Sequence, residues 1–359
     1  MRTLFVFNHP APYKVHVFNK LSKLADIQVI FERTAASDRP ESFYSENHYN
    51  FPVIFLKRGA FGRENTSSGE LKKYIKEHHQ EYDTIVMNGY STFAEMKAIR
   101  FMIKNKIPYV LQINGGVIKK DNPIKKKLKT YFISHATKYF SPCSEADKYL
   151  IHYGAKKANI FHYPYGNYFK KDVLERPLTQ EEKNNLRLKW HLPIGTLFVN
   201  ASQFIERKNN IQLISLFKER DESLLLIGAG SQKEEYEQYI KEHEINNVML
   251  MDFMEKKDLF EILSACDCFV TLSFEDIFGH TTLEALANGI PVISSNRVVS
   301  SLDIITDGEN GFIVDLDKEN QIKKALDNAL SLDPNKAIES AKNNTIEMTA
   351  HRLKELIEQ

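Results

Sequence analysis

Asp276 and Glu284 stand eight positions apart, bracketing Ile277-Phe278-Gly279-His280-Thr281-Thr282-Leu283. Two carboxylates around a glycine turn that feeds a helix suit a ligand carrying both hydroxyls and phosphates. Glu284, one turn into a helix predicted over 281–288, offers a bidentate acceptor for the vicinal hydroxyls of a ribose. Asp276, on the turn, can reach hydroxyls of a bound sugar. Between them, the backbone N–H groups near Gly279, His280, Thr281 and Thr282 form a helix N-terminus, whose positive dipole end stabilises a diphosphate. The two threonine hydroxyls add donors there. The competing reading makes Asp276 a helix cap and Glu284 a surface residue.

The element order explains why these residues stand where they do. The apolar run 269–272 reads as a buried strand, and 274–279 makes the turn. Gly289 caps the helix C-terminus, and Pro291 stops it before the next strand. Along the whole chain, short apolar runs alternate with helix-period stretches. Strands are expected at 4–7, 27–31, 53–56, 84–87, 109–113, 139–141 and 160–162, with helices at 15–24, 71–78, 92–104 and 124–135. A polar stretch, 168–192, has the composition of a linker or surface helix. Strands resume at 197–201, 224–227, 248–251, 269–272, 291–294 and 312–314, and helical segments at 318–330 and 335–358 end the chain. This alternation predicts an α/β protein of two Rossmann-like parallel-sheet domains facing each other across a cleft. Their expected extents are 1–168 and 169–344, with a final helix near 345–359 that packs back on the first domain. Ligands of such sheets bind beyond the carboxyl ends of the strands.

The bulk composition narrows the function classes. The 359 residues suit two domains, and 42% hydrophobic with 26% charged residues describes an ordinary globular protein. A net charge of +1 gives no global field for nucleic acid. Three cysteines are too few for a disulfide framework, and Cys266-Asp267-Cys268 lacks partners at zinc spacing. The short apolar run at the N-terminus does not read as a signal peptide, and no window approaches a membrane span. A cytoplasmic location is expected, with peripheral attachment at the inner face of the membrane left open.

The pattern acid-x-Phe-Gly around Asp276, Phe278 and Gly279, the second acid at Glu284, and the following Ala-x-Ala-x-Gly-x-Pro-Val resemble the E-x7-E signature of family 4 glycosyltransferases. The resemblance implies a GT-B fold and retaining transfer of a sugar from a nucleotide donor; with Lys208, its neighbours and the helix dipole to stabilise the leaving diphosphate, no metal or other cofactor is expected. UDP is the nucleotide by family frequency. Asp276 would face the donor sugar and Glu284 the ribose. Asp276 is shorter than the usual glutamate, and the adjacent Glu275 is a possible substitute. Gln203-Phe204-Ile205-Glu206-Arg207-Lys208 resembles the family's phosphate-binding segment, with Lys208 at the lysine position, Gln203 at the arginine position and Arg207 as a neighbouring cation. Gly228 would line the nucleotide side, and Asp252-Phe253 the base. Pro12-Tyr13 resembles the family's Pro-Tyr entry on the acceptor side. Asn114-Gly115-Gly116 follows a strand and can place an amide near the acceptor, and Asn114 argues against a charged base there.

Asp315-Leu316-Asp317 matches a metal-binding D-x-D pattern, but an N-cap for the following helix explains it better. Lysines 119, 120, 125, 126, 127 and 129 face the single Asp121 and precede Tyr131-Phe132-Ile133. That segment suits anionic headgroups or a lipid-diphosphate acceptor, or is simply a solvated face. The expected function is transfer to a glycan or lipid-linked acceptor in bacterial surface or exopolysaccharide assembly. A catalytically weak GT-B scaffold or partner subunit, or a nucleotide-sugar epimerase, is the alternative.

Overall fold

A computed structural model of the chain describes residues 1–36, 41–45, 47–56 and 69–359. The chain divides into two compact units, one formed by 1–167 with 345–359 and the other by 168–344.

The first unit is built on a parallel sheet of β1 (Arg2–Phe7), β2 (Asp26–Phe31), β3 (Val53–Phe55), β4 (Thr84–Asn88), β5 (Val110–Gln112), β6 (Lys138–Ser141) and β7 (Ile160–His162). Their spatial order is β3-β2-β1-β4-β5-β6-β7. Its helices are α1 (Pro12–Leu21), α2 (Glu70–His78), α3 (Phe93–Lys104), α4 (Pro123–Ser134) and α5 (Ser144–His152). The β1–β2–β3 crossovers run toward one sheet edge, and those from β3 onward run toward the other. Right-handed connections therefore put α1 on one face and α2, α3 and α4 on the opposite face. Helix α1 starts at Pro12, earlier than its apolar period suggests, because proline suits the first helical position, where its missing N–H leaves no bond unmade. Helix α3 is closed by a capping box, in which Thr92 accepts from Glu95 N and the Glu95 carboxylate accepts from Thr92 N.

The second unit contains α6 (Gln180–Lys189), β8 (Leu197–Ala201), α7 (Asn210–Phe217), β9 (Ser223–Ile227), α8 (Lys233–Glu242), β10 (Val248–Met251), α9 (Lys256–Ala265), β11 (Cys268–Thr271), α10 (His280–Ala287), β12 (Val292–Ser295), α11 (Ser301–Ile304), β13 (Gly311–Val314), α12 (Glu319–Asn328) and α13 (Pro334–Ala341). Its parallel sheet has the order β10-β9-β8-β11-β12-β13. In each unit the order reverses beside the first strand, at β1/β4 and at β8/β11, where open α/β sheets bind ligands.

The polar 168–192 stretch does form a surface helix, α6, but one of its residues is wholly internal. Arg187 is 0% exposed. It donates to Ala265 O at 2.9 Å, to Gly195 O and to Asp267 Oδ2 at 2.7 Å. Asp267 also accepts from Lys183 and from Leu197 N. Every charge in this cluster is paired and hydrogen-bonded, the condition under which buried ions are tolerated. The predicted helix over 335–358 is two helices. Alpha13 gives way to a 3-10 turn at Lys342–Asn344, after which Thr345 caps α14 (Ile346–Ile357). Helix α14 packs against α1, and Thr349 Oγ1 donates to Pro164 O at 2.9 Å.

Candidate nucleotide-sugar site

Strands β8 and β11 are adjacent, so the loops at their carboxyl ends meet. Phe274 N donates to Arg207 O at 2.9 Å, and the Arg207 guanidinium donates to Glu275 O at 2.6 Å. The loop after β8 is thus fastened to the turn after β11 by main chain and side chain together. One residue on, Lys208 Nζ lies 2.5 Å from Asp276 Oδ2. These side chains are 11% and 18% exposed, so the pair is shielded without being sealed from solvent. Asp276 Oδ1 accepts from Phe278 N at 3.3 Å, and the Asp276 backbone pairs with the segment at Val298. The carboxylate is therefore held in place rather than swinging on a loose loop.

Gly279 is the residue that lets this turn become a helix. Its φ is +89°, and a Cβ there would sit 2.5 Å from Val298 Cγ1. With no side chain on Gly279, α10 opens without a side-chain cap. Backbone N–H groups at such an end are anion donors. Thr281 is half-buried, whereas Thr282 is fully buried with its hydroxyl 3.5 Å from Ser301 Oγ. The two threonines that look equivalent in sequence therefore face different surroundings. The His280 ring lies 4.9 Å from that of Phe278, itself buried. Glu284 is 6% exposed, so it is not a surface residue. It lies close enough to Tyr168 that, after burial, its charge helps push the Tyr168 hydroxyl above its usual range.

The remaining positions of this unit are dispersed. A Cβ on Gly228 would meet Ser202 O at 1.9 Å, so glycine permits the close approach of the loops after β8 and β9. Gln203 is exposed. Asp252 is exposed and pairs with Lys233 at 2.5 Å, and Phe253 is exposed beside it. The predicted capping role of the D-x-D aspartates does not hold. Lys318 occupies the N-cap of α12 with no side-chain cap bond. Asp315 instead accepts from Asp317 N at 3.1 Å, and Asp317 pairs with Arg297 at 3.1 Å. Among the described residues no group of three or more His, Cys, Asp or Glu is placed to hold a metal ion.

In the first unit, Pro12 is the first residue of α1 and the Tyr13 hydroxyl lies 2.8 Å from that of Tyr165. Asn114 exchanges reciprocal 3.1 Å hydrogen bonds with Asn88, the last residue of β4. Gly115 has a φ of +133°, and a Cβ on Gly116 would lie 2.7 Å from the Tyr149 ring. Behind Asn88 lies a buried charged group that the sequence reading missed, comprising Lys14, Glu32, Arg33 and Glu95. Lys14 Nζ is 3.5 Å from Asn88 Oδ1, and Thr92 Oγ1 donates to Glu32 Oε1 at 2.7 Å. Burial lowers the Lys14 ammonium to about 8 against the opposing effect of Glu95. Burial and then the Glu95 charge raise the Glu32 carboxyl to about 8. Asn88 and Glu32 end or directly follow strands, the signal by which Asn114 is found; Lys14 and Glu95 lie on helices and carry none.

Residues 192–348 match the family described as Glycosyl transferases group 1. The O-antigen biosynthesis glycosyltransferase WclY of Escherichia coli is 24% identical over 266 residues, 70% of this chain and 72% of that protein. Among solved structures, Anabaena Alr3699/HepE in complex with UDP aligns with a TM-score of 0.76 and 16% identity, covering 100% of this chain and 98% of that one. The apo lipopolysaccharide outer core galactosyltransferase WaaB aligns at 0.73 and 14% identity, covering 99% of both. The chain thus shares the two-sheet GT-B fold of these structures, and residues 192–348, nearly all of them in its second unit, are similar to the group 1 glycosyl transferases.

Proposed function

We propose that the chain is a retaining, metal-independent hexosyl- or N-acetylhexosaminyltransferase that uses a UDP-sugar. The observation that carries this reading is the meeting of the Lys208–Asp276 pair with the uncapped, glycine-led N-terminus of α10, one turn before buried Glu284. Glu284 accepts the ribose hydroxyls. Lys208, Arg207, Thr281 and the α10 amides take the diphosphate, while Gln203 supplies a neutral contact. Thr282 contributes its backbone, since its hydroxyl faces the interior. Gly228, Asp252 and Phe253 border the nucleotide; Glu275, Phe278 and His280 shape the turn.

In the transfer step, the bond from the sugar C1 to the diphosphate oxygen breaks and the acceptor oxygen bonds to C1 on the same face. The acceptor proton passes to an oxygen of the leaving diphosphate. Lys208 and the helix end stabilise the negative charge that develops there, and Asp276 orients the sugar. Pro12, Tyr13, Asn114, Gly115 and Gly116 form the acceptor side. The acceptor is a glycan or lipid-linked acceptor of bacterial surface polysaccharide assembly, a reading supported by the name of the Escherichia coli relative. The enzyme works in the cytoplasm, and the lysines of 119–129 reach the inner face of the membrane.

A thermal-shift panel of UDP-, GDP-, dTDP- and ADP-sugars tests the donor, because a ligand that binds only the folded state raises its stability. Stabilisation by UDP-sugars with slow hydrolysis to UDP and free sugar supports the reading. Binding without turnover across acceptors supports a scaffold subunit instead, a reading that the short Asp276 side chain and the uncharged Gln203 favour. Isomerisation of the donor without acceptor supports an epimerase.

A further inference from the structure

Asn88 ends β4, and Asn114 stands just past β5, its neighbour in the sheet. Each amide donates an N–H to the other's oxygen at 3.1 Å. Such a reciprocal pair is symmetric: turning both amides over exchanges nitrogen for oxygen and keeps both hydrogen bonds. What changes is the outward edge of Asn114, where its second N–H and second oxygen lone pair trade places. A group outside the pair must therefore choose between the two states. Lys14 Nζ lies 3.5 Å from Asn88 Oδ1. An ammonium has donors only, so it attracts the Asn88 oxygen and repels an N–H turned toward it. Lys14 is 7% exposed, and its charge is balanced from the elements around it. Glu95 faces it from α3, Glu32 and Arg33 close the group from the end of β2, and the Phe7 ring of β1 lies 4.7 Å from Nζ. Ser91 N, Ser91 Oγ and Thr92 N all donate to Glu95 Oε2, while Glu95 Oε1 has no hydrogen-bond partner among the described residues. Helix α14, packed along α1, contributes Glu347, which pairs with Lys20 at 3.2 Å. Burial lowers the Lys14 ammonium to about 8, so the charge is present at neutral pH and lost above that value.

We propose that Lys14 is a positioning residue for the acceptor, acting through Asn88 to fix which edge of the Asn114 amide meets the acceptor hydroxyls. The inference rests on the reading of Asn114 as an acceptor-side residue. It gives the buried charges a task, which is to hold one cation against an amide pair that has no polarity of its own. A neutral amine both donates and accepts, so the choice between the two states disappears when Lys14 loses its proton.

Nuclear magnetic resonance of the full chain with nitrogen-15 asparagine tests the proposal, the two side-chain amides being identified by their loss in Asn88→Asp and Asn114→Asp. Below about pH 7 the wild type should show one orientation of each amide. Both amides should respond together as pH rises through about 8, with a second orientation appearing. Lys14→Arg keeps its charge and should hold one orientation throughout. Lys14→Met should show two orientations of comparable population at every pH, the loss of a roughly tenfold bias from one charged hydrogen bond. The response should persist in Glu32→Gln, which removes the carboxyl that titrates in the same range. A single orientation in a folded Lys14→Met, no response of the wild type around pH 8, or a response lost in Glu32→Gln overturns the proposal. The wild-type titration decides the matter even where a variant fails to fold. With UDP present, a panel of octyl hexosides should shift the Asn114 signals and bind about tenfold more weakly to Lys14→Met, at unchanged UDP affinity. Amides that respond as expected while every hexoside leaves Asn114 unmoved overturn the acceptor-side reading, and the role of Lys14 with it.

Discussion

Replacing Glu284 by alanine probes the ribose assignment most directly. The side chain is 6% exposed, so its carboxylate meets a ligand in a largely desolvated setting. Hydrogen bonds to a charged group contribute about 1.5–3 kcal/mol each, and the assignment gives Glu284 two of them. The loss is then about 3–6 kcal/mol, or roughly 10²- to 10⁴-fold in the dissociation constant of UDP. The structural cost should be separable, because the nearby Tyr168 hydroxyl keeps its own 2.9 Å bond to Ala341 O. Calorimetric titration of wild type and Glu284→Ala with UDP and with 2′,3′-dideoxy-UDP closes a thermodynamic cycle. In the wild type, removing the hydroxyls should cost about as much as removing the carboxylate; in the variant it should cost almost nothing. Wild-type-like UDP affinity in the variant, or continued discrimination against the dideoxy nucleotide, would refute the assignment.

Three further outcomes follow from other parts of the molecule. Asp267→Ala strands the wholly buried Arg187 guanidinium and should destabilise the protein by about 3–5 kcal/mol in urea unfolding; a change under about 1 kcal/mol would show that the network is dispensable. Gly279→Ala forces a Cβ into the 2.5 Å approach to Val298 at a φ of +89°. It should cost about 1–3 kcal/mol of stability and weaken UDP-sugar binding, so intact donor affinity would remove the α10 N-terminus from the site. The Glu32 carboxyl is raised by burial to about 8 from an ordinary 4.5, so the folded state binds more protons than the unfolded state between these values. Its contribution is full below about 4.5 and declines as pH rises toward 8. Glu32→Gln should flatten the pH 5–8 portion of the stability profile; an unchanged slope would place the proton elsewhere.

The legible parts of the sequence were those set by local physics. Every predicted strand exists, with end shifts of a few residues, because a buried parallel strand must be an apolar run bounded by turn residues. The Gly279 turn and the α10 helix were readable for the same reason, since Gly289 and Pro291 punctuate the helix end. The division of the terminal helix at Lys342–Asn344 was not, because it depends on which surface each half covers. The D-x-D aspartates misled because spacing alone does not say which residue of a loop adopts the capping conformation.

What the sequence determined by itself was the alternation of strand and helix, the two-fold repetition of that order, and the carboxylates and glycine placed after a strand. These follow from side-chain periodicity and backbone freedom, which are properties of neighbouring residues. Only the tertiary structure decided that Lys208 closes on Asp276, that Thr282 turns inward while Thr281 does not, and that Glu284 is buried. It also gathered Lys14, Glu32, Arg33 and Glu95 from separate elements. These are contacts between positions remote in the chain, fixed by strand order and by the side on which each helix crosses the sheet.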